Sequence, residues 1–142
     1  MNIIVSYRQI PYLCFLMKTV LVIDDDQRIR ENTAELLLLS GYEVITANNG
    51  KMGFDIVLKF QPDIIICDIM MPETNGVGFL NMIYKEPSIQ DTPLIFMSGA
   101  VMPEYVHRSL EKAGYEFLSK PFTEKQLLDS LERSSNKSPV SV

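Results

Sequence analysis

The amino-acid sequence predicts an α/β domain with a doubly wound, five-stranded parallel sheet and helices on both faces. Short apolar runs of strand length alternate five times with longer segments in which apolar residues recur at helical spacing. Strands that alternate with helices in this way pair in parallel, and their crossovers cover both faces of the sheet. We expect the strand order 2-1-3-4-5, a common order for doubly wound sheets. A length of 142 residues fits one such domain.

The first two strand–helix units are bounded by aspartate, glycine and proline. TVLVI, residues 19–23, is an apolar run that ends at three successive aspartates, and YEVITA, residues 42–47, is the second strand. The first helix ends at Ser40-Gly41, a glycine stop, and the second ends before Pro62. Their predicted inward side chains are Ile29, Thr33, Leu36 and Leu37 in the first helix and Phe54, Val57 and Leu58 in the second.

The third unit contains the stretch PDIIICDIMMPETNG, residues 62–76. Residues 64–67 form an apolar run, typical of a buried strand, that ends at the single carboxylate Asp68. Turn residues then interrupt the chain and restart it as a helix over residues 77–85. Because open parallel sheets bind ligands at the carboxyl ends of their strands, Asp68 is expected at a functional position. The inward side chains of this helix are Phe79, Leu80 and Ile83.

The last two units follow the same alternation. PLIFMS, residues 93–98, and YEFLS, residues 115–119, are the fourth and fifth strands, and a helix over residues 103–112 joins them. Thr123 and Gln126 have the spacing of a capping box, which predicts the start of the last helix. The inward side chains are Val106 and Leu110 in the fourth helix and Leu127, Leu128 and Leu131 in the fifth.

The ends of the chain differ from this regular part, which we assign as residues 17–134. Residues 1–16 contain one charge, Arg8, and a proline at position 11. They are a poor signal peptide, because the apolar region is interrupted and no small-residue cleavage site follows. Either Met17 is the natural start, or this N-terminal extension is an appended strand or arm. Residues 135–142 are predicted to be a polar, frayed tail.

Composition and charge favour a cytoplasmic protein that binds neither nucleic acid nor membrane. The formal net charge of −5 repels phosphates. No apolar run reaches the roughly 18 residues that a membrane span needs. Two cysteines, Cys14 and Cys67, are too few for a disulfide framework, so we expect both to be reduced. Cys67 is interpreted as a small core residue.

The predicted sheet gathers polar side chains at one edge, and these are Asp24, Asp25, Asp26, Asp68, Ser98 and Lys120. Two carboxylates about 4 Å apart repel by roughly 4 kcal/mol at a near-surface dielectric, so a proton or a cation must lie among them. All the side-chain ligands are oxygens, which favours a hard divalent cation such as Mg²⁺. We expect Asp25 and Asp68 to ligate it directly, Asp24 to act through water, and the backbone carbonyl of Met70 to supply another oxygen.

Lys120 and Ser98 add a second set of groups to this edge. A lysine beside carboxylates forms at least an ion pair, but a lysine, a hydroxyl and a metal around one carboxylate are also what phosphoryl transfer requires. Carboxylates accept phosphoryl groups in other proteins, and Asp68 is the centrally placed one. Because Gly99 has no side chain, we expect its backbone to approach the transferred phosphoryl group closely.

Four motifs together resemble the response-regulator receiver domain of two-component signalling, the CheY-like fold. They are VLVIDDD with Asp24 and Asp25, PDIIICDIMMP with Asp68, PLIFMSGA with Ser98, and FLSKPF with Lys120 and Pro121. Each is weak alone, but all four occur in order at predicted strand ends, and the resemblance covers residues 18–133. It implies phosphorylation of Asp68 by a histidine kinase or histidine phosphotransfer protein, a requirement for Mg²⁺, and a cis Lys120–Pro121 peptide bond.

The resemblance also implies a conformational switch. In the family, the hydroxyl residue at the Ser98 position moves to the phosphoryl group and the aromatic residue at the Phe117 position swings inward. This shift between two pre-existing states alters the face formed by the fourth helix, fifth strand and fifth helix. We expect a downstream protein to bind this face around Val106, Phe117 and Leu127, with the chain acting as a monomer or a phosphorylation-linked dimer.

This sequence departs from the commoner family pattern at two switch positions. Ser98 stands where threonine is frequent and lacks its methyl group, which predicts looser coupling. Phe117 stands where tyrosine is also common and has no hydroxyl to solvate, which predicts a bias towards the inward position. Met70 and Ala100, at the two positions that tune phosphoryl lifetime, are non-polar, so we expect a long-lived phosphoryl group.

Simpler interpretations of single residues stand beside these. The three aspartates before the first helix can act as helix N-caps, which is the preferred interpretation of Asp26. Lys120 can be a structural ion pair and Ser98 an ordinary loop serine. His107, the single histidine, is expected to be solvated on an outer helical face.

We expect a stand-alone receiver that is not an enzyme beyond slow autodephosphorylation, with output through protein binding or a phosphorelay. The nearest rival is a receiver fragment of a larger regulator or hybrid kinase. A Mg²⁺-dependent phosphatase of haloacid-dehalogenase type would need a second Asp where this chain has Met70, and a cap domain for which there is no room. The intact Asp25, Asp68, Ser98 and Lys120 speak against a degenerate receiver that is never phosphorylated.

Overall fold

The sheet of this protein has the predicted topology. The structure is a computed structural model that describes residues 17–71, 75–99 and 102–136. Every strand pair is parallel, and the strand order is β2-β1-β3-β4-β5, which confirms the predicted fold class. The elements are β1 Thr19–Ile23, α1 Gln27–Leu39, β2 Glu43–Ala47, α2 Gly50–Phe60, β3 Ile64–Asp68, α3 Gly76–Tyr84, β4 Leu94–Ser98, α4 Glu104–Lys112, β5 Glu116–Ser119 and α5 Glu124–Ser135.

Alternate residues of the central strands pack on opposite faces of the sheet. On one face, strand residues such as Leu21, Ile65 and Phe96 contact α2, α3 and α4. On the other face, Val22 and Ile66 and their neighbours contact α1 and α5. The inner strands are buried on both faces, which explains why they are continuous apolar runs in the sequence.

The predicted helix boundaries and caps hold with small shifts. Thr123 and Gln126 form the predicted capping box at the start of α5. α5 continues to Ser135, the first residue of the predicted polar tail. The predicted N-terminal extension, residues 1–16, and residues 137–142 of the tail lie outside the described residues. Within the described ranges, no helix combines the length and apolar content needed to cross a bilayer.

Some of the inward positions predicted for α1 and α2 differ from those that the structure shows. In α2, the predicted Leu58 is 41% exposed, whereas Ile56, which was not predicted to face inward, is buried. The reason is that Gly53, Ile56 and Val57 face the sheet, and Leu58, the residue after Val57, is rotated by about 100° around the helix axis towards solvent. In α1, Arg30 and Ala34 are buried beside the predicted Thr33 and Leu37. Ile29 is only half-buried, and Leu36 is half-buried but packs against the core. Cys67 is fully buried and unpaired, as predicted.

Candidate functional site

Strand register brings the predicted polar residues to one edge of the sheet. Ile23 of β1 pairs with Cys67 of β3. Asp24 and Asp68 are the next residues along the chain, so they lie at the same end of two adjacent strands. Asp68 pairs with Met97 of β4, and Ser98 is the next residue. The backbone N–H of Lys120 donates to the Ser98 carbonyl oxygen at 2.8 Å, which brings the end of β5 to the same edge.

One ammonium group joins the two buried carboxylates of this edge. Lys120 Nζ lies 2.8 Å from Asp24 Oδ2 and 3.0 Å from Asp68 Oδ2. One carboxylate oxygen from each of Asp24, Asp25 and Asp68 lies within 4.8 Å of the other two. These three aspartates are therefore the residues that could hold a metal ion, and their all-oxygen donor set suits a hard divalent cation.

Burial divides the three aspartates into two kinds. Asp24 is 0% and Asp68 6% exposed, whereas Asp25 is exposed. Burial raises the pKa of the Asp24 carboxyl above its ordinary value of 3.8, and hydrogen bonds from Lys120 and from the Asp26 N–H offset part of this. Burial lowers the pKa of Lys120, but its hydrogen bonds and charge interactions with Asp24 and Asp68 outweigh this and raise the pKa above 10.5. Lys120 is therefore an ammonium ion at neutral pH.

Backbone groups occupy the remaining oxygens of the two buried aspartates. The Asp26 N–H donates to Asp24 Oδ1 at 2.9 Å, and the Met70 N–H donates to Asp68 Oδ1 at 3.1 Å. Asp26 caps α1, because its side chain accepts from the N–H groups of Arg28 and Ile29. The capping interpretation is thus confirmed for Asp26, while Asp24 turns towards Lys120.

Two glycines and a proline border the site. The Lys120–Pro121 peptide bond is cis. A Cβ added at Gly76 would lie 2.8 Å from the backbone Cα of Ile69 and 3.2 Å from the Asp68 carbonyl oxygen, so only glycine fits beside the end of β3. A Cβ at Gly99 would meet no atom within 4 Å. The approach of the Gly99 backbone to a phosphoryl group therefore stays a prediction, whereas sequence reasoning missed the tight backbone contact at Gly76.

The two predicted switch residues lie on adjacent strands. Ser98 is 6% exposed at the end of β4. Phe117 of β5 is half-buried and packs against the core, with its ring centroid 5.7 Å from that of Phe96. Ala100, one of the two expected lifetime positions, lies outside the described residues, while Met70 is 52% exposed.

His107 is only partly solvated, whereas the sequence predicted a solvated outer position. Its ring centroid lies 4.4 Å from that of Phe117, and its Nδ1 lies 3.6 Å from a Glu111 carboxylate oxygen. Its side chain is 34% exposed. α4 is turned so that Val106 and His107 both face β5, which a short helix of mixed polarity does not reveal in its sequence.

The expected partner-binding face also needs one correction. Leu127 is 0% exposed because it faces the sheet from α5, so it lies in the core and not on a surface. Phe117 lines a groove of about 280 Å³ between β5 and α5, and this groove is also lined by Pro121, Gln126, Asp129 and Arg133. On α4, Tyr105 is 74% exposed.

Two further buried polar features were not predicted. Arg30 of α1 is 5% exposed, and its Nη1 donates to the Asp24 carbonyl oxygen at 2.8 Å. Tyr84 and Tyr115 form a hydrogen bond between their hydroxyl groups. Burial, reinforced by this hydrogen bond, raises the pKa of Tyr115 above its ordinary value of 10.0. A pattern of apolar residues carries no signal for either feature.

The chain matches one protein family over most of its length. Residues 20–132 match the family model described as the response regulator receiver domain. The chain is 29% identical over 115 residues to the phosphate regulon transcriptional regulatory protein PhoB of Pseudomonas aeruginosa, which covers 81% of this chain and 50% of PhoB. It is 36% identical over 110 residues to the probable transcriptional regulator ycf27 of Porphyra purpurea, which covers 76% of this chain and 43% of that protein. The chain thus spans about half the length of the curated relatives it matches.

Solved structures agree with this match. The chemotaxis protein CheY4 of Vibrio cholerae aligns with a TM-score of 0.75 and 29% identity, covering 83% of this chain and 98% of that one. A response regulator receiver domain protein of Clostridium thermocellum aligns with a TM-score of 0.76 and 28% identity, covering 84% of this chain and 95% of that one. None of the matches described here supports the phosphatase alternative of haloacid-dehalogenase type.

Proposed function

This chain belongs to the response regulator receiver family, and from that premise we propose that Asp68 accepts a phosphoryl group from a histidine kinase or a histidine phosphotransfer protein. The observation that carries the proposal is the contact of Lys120 Nζ with both Asp24 and Asp68, at 2.8 and 3.0 Å. An ammonium group, a carboxylate acceptor and two further carboxylates at the carboxyl edge of a parallel sheet suit phosphoryl transfer.

In this reaction a carboxylate oxygen of Asp68 attacks the phosphorus atom. The bond between phosphorus and the donor histidine nitrogen breaks as the bond to the aspartate oxygen forms, which leaves an acyl phosphate and a free imidazole. Lys120 supplies positive charge next to the acceptor, where charge on the transferred oxygens must be offset. The Met70 N–H, which donates to Asp68 Oδ1 at 3.1 Å, fixes the orientation of the carboxylate before attack.

The donor set fits Mg²⁺, which prefers one or two carboxylates together with water and phosphate oxygens. Asp25 and Asp68 would hold the ion directly, together with the backbone carbonyl of Met70. Asp24, which is fully buried and accepts the shorter hydrogen bond from Lys120, would act through water. When bound, Mg²⁺ would neutralise charge on the transferred phosphoryl oxygens.

We further propose that Ser98 and Phe117 relay phosphorylation to a protein partner. Phe117 lies between the core and the β5–α5 groove, so a change in its position alters the surface that it helps to line. The partner would contact the face around Val106 and Phe117, with Tyr105 and the groove residues Gln126 and Asp129 in place of the buried Leu127. The unpaired Cys67 is compatible with the cytoplasmic location that we propose for this chain.

The test is phosphorylation by acetyl phosphate with and without Mg²⁺, followed by intact mass measurement. The wild type should gain the mass of one phosphoryl group only when Mg²⁺ is present. Asp68→Asn should gain none. Asp55→Asn, which alters an exposed aspartate of α2, should behave as the wild type. Phosphorylation of Asp68→Asn to the wild-type extent would refute the assignment of the acceptor.

A further inference from the structure

Arg30 is a buried cation beside the proposed cation site. It lies in the first turns of α1 and is 5% exposed. Its Nη1 donates a hydrogen bond of 2.8 Å to the backbone carbonyl oxygen of Asp24. It forms no ion pair with any residue in the part of the chain that the structure describes. Because burying a charge is costly unless it is hydrogen-bonded, a single carbonyl contact at this position calls for an explanation.

The Asp24 carbonyl belongs to the peptide unit that joins Asp24 to Asp25. This unit is planar, so a hydrogen bond to its oxygen also orients the N–H and Cα of Asp25. The other polar atoms of Asp24 are also engaged: its N–H donates to the Ala47 carbonyl oxygen at 3.1 Å, and its carboxylate accepts from the Asp26 N–H and from Lys120. Arg30 therefore completes the set of contacts that immobilise Asp24 where β1 turns into α1.

The orientation of the Asp25 side chain depends on this backbone segment. It is exposed, and its carboxylate accepts no hydrogen bond from any residue within the described ranges. Nevertheless one of its oxygens lies within 4.8 Å of oxygens of Asp24 and Asp68. We propose that Arg30 is a positioning residue, which holds the Asp24–Asp25 peptide plane so that the Asp25 carboxylate faces Asp68 and can bind a divalent cation. The proposal rests on the proposed function of this site.

The geometry favours positioning through the carbonyl over an effect of the Arg30 charge. Arg30 Nη1 contacts the backbone carbonyl oxygen of Asp24, whereas Lys120 Nζ is the cation that contacts the Asp24 and Asp68 carboxylates. A contact that orients a metal ligand through its neighbour commonly changes metal affinity by about 10- to 100-fold when it is removed. The side chain at position 30 should therefore matter to Mg²⁺ affinity chiefly through its ability to donate a hydrogen bond.

The experiment measures the Mg²⁺ dissociation constant by calorimetry for the wild type and three variants. Arg30→Met removes the donor but keeps much of the apolar stem, and it should weaken Mg²⁺ binding by about tenfold or more. Arg30→Lys keeps one donor and should recover part of the affinity. Arg28→Met, the same change at an exposed position of the same helix, should leave the affinity unchanged. Equal affinity in Arg30→Met and the wild type would overturn the proposal.

A merely structural role for Arg30 predicts a different pattern. Thermal unfolding of each variant in EDTA gives its stability without metal, and the Asp25 amide resonance reports the local backbone. If Arg30→Met melts earlier but binds Mg²⁺ as the wild type does, Arg30 only stabilises the fold and the proposal is wrong. Should Arg30→Met not fold, Arg30→Lys decides the matter: weaker Mg²⁺ binding with a shifted Asp25 amide supports the proposal, and wild-type values for both overturn it. A wild type that neither binds Mg²⁺ nor becomes phosphorylated would instead refute the proposed function itself.

Discussion

Replacing Lys120 by methionine should strongly destabilise the protein in metal-free buffer. The change removes the ammonium group that lies 2.8 Å from Asp24 and 3.0 Å from Asp68, and leaves two carboxylates with almost no exposure to water. At about 3 Å and an effective dielectric constant of about 20, each contact is worth roughly 5 kcal/mol before desolvation. Removing one partner of a buried ion pair costs about 3–5 kcal/mol net, which is the loss of unfolding free energy that we expect.

The assay is urea unfolding at neutral pH in EDTA, followed by circular dichroism. Lys125→Met is the matched control, because Lys125 Nζ also contacts an aspartate, Asp129, at 2.7 Å but has an 83% exposed side chain. Exposed pairs contribute about 0–1 kcal/mol, so this control should be close to the wild type. Saturating Mg²⁺ should restore more stability to Lys120→Met than it adds to the wild type, because the cation then replaces a missing charge.

Two outcomes would refute this reasoning. One is a Lys120→Met variant that loses no more stability in EDTA than Lys125→Met does. The other is an equal gain from Mg²⁺ in Lys120→Met and the wild type, which would mean that the cation does not bind beside the carboxylates that Lys120 contacts.

Three further predictions follow from other contacts. Gly76→Ala should cost about 1–3 kcal/mol of unfolding free energy because its Cβ meets rigid backbone, whereas Gly99→Ala should be neutral; equal effects in urea unfolding would contradict this. Burial raises the pKa of Tyr115 in the folded state, so the neutral hydroxyl group contributes fully to the unfolding free energy below the ordinary pKa of 10.0. This contribution is lost as the pH rises above 10.0. Unfolding free energy should therefore fall above pH 10 in the wild type and fall less in Tyr115→Phe, and identical slopes would exclude this tyrosine as the cause. His107→Ala should cost about 0.5–1.5 kcal/mol and shift the Phe117 ring resonances, since it removes a ring at 4.4 Å; unchanged resonances would show that the two rings do not pack in solution.

The fold could be predicted from the sequence because hydrophobic periodicity reports which strands are buried on both faces. Residues 20–23 and 64–67 are all buried, and an aspartate follows directly after each run. Parallel pairing then brings those aspartates together whatever the detailed packing. The candidate site was accessible to sequence reasoning for the same reason.

The features that were missed depend on the rotation of a helix or on single polar contacts. Leu58 and Leu127 fit the same apolar spacing in the sequence, yet one is 41% exposed and the other 0%. His107 lies on a helix without a fully buried residue, so its contact with Phe117 has no signal in the apolar pattern. Arg30 is charged, and a charged residue in a helix is expected at the surface unless a specific acceptor is known.

The most direct test of the central claim is to identify which residue carries the phosphoryl group. After phosphorylation with acetyl phosphate and Mg²⁺, borohydride reduction converts an aspartyl phosphate to homoserine, and peptide mass mapping locates the altered residue. We predict homoserine at position 68 alone, with none formed when Mg²⁺ is omitted. Label at Asp24, Asp25 or His107, or an unaltered Asp68 in a protein that has gained a phosphoryl group, would contradict the account.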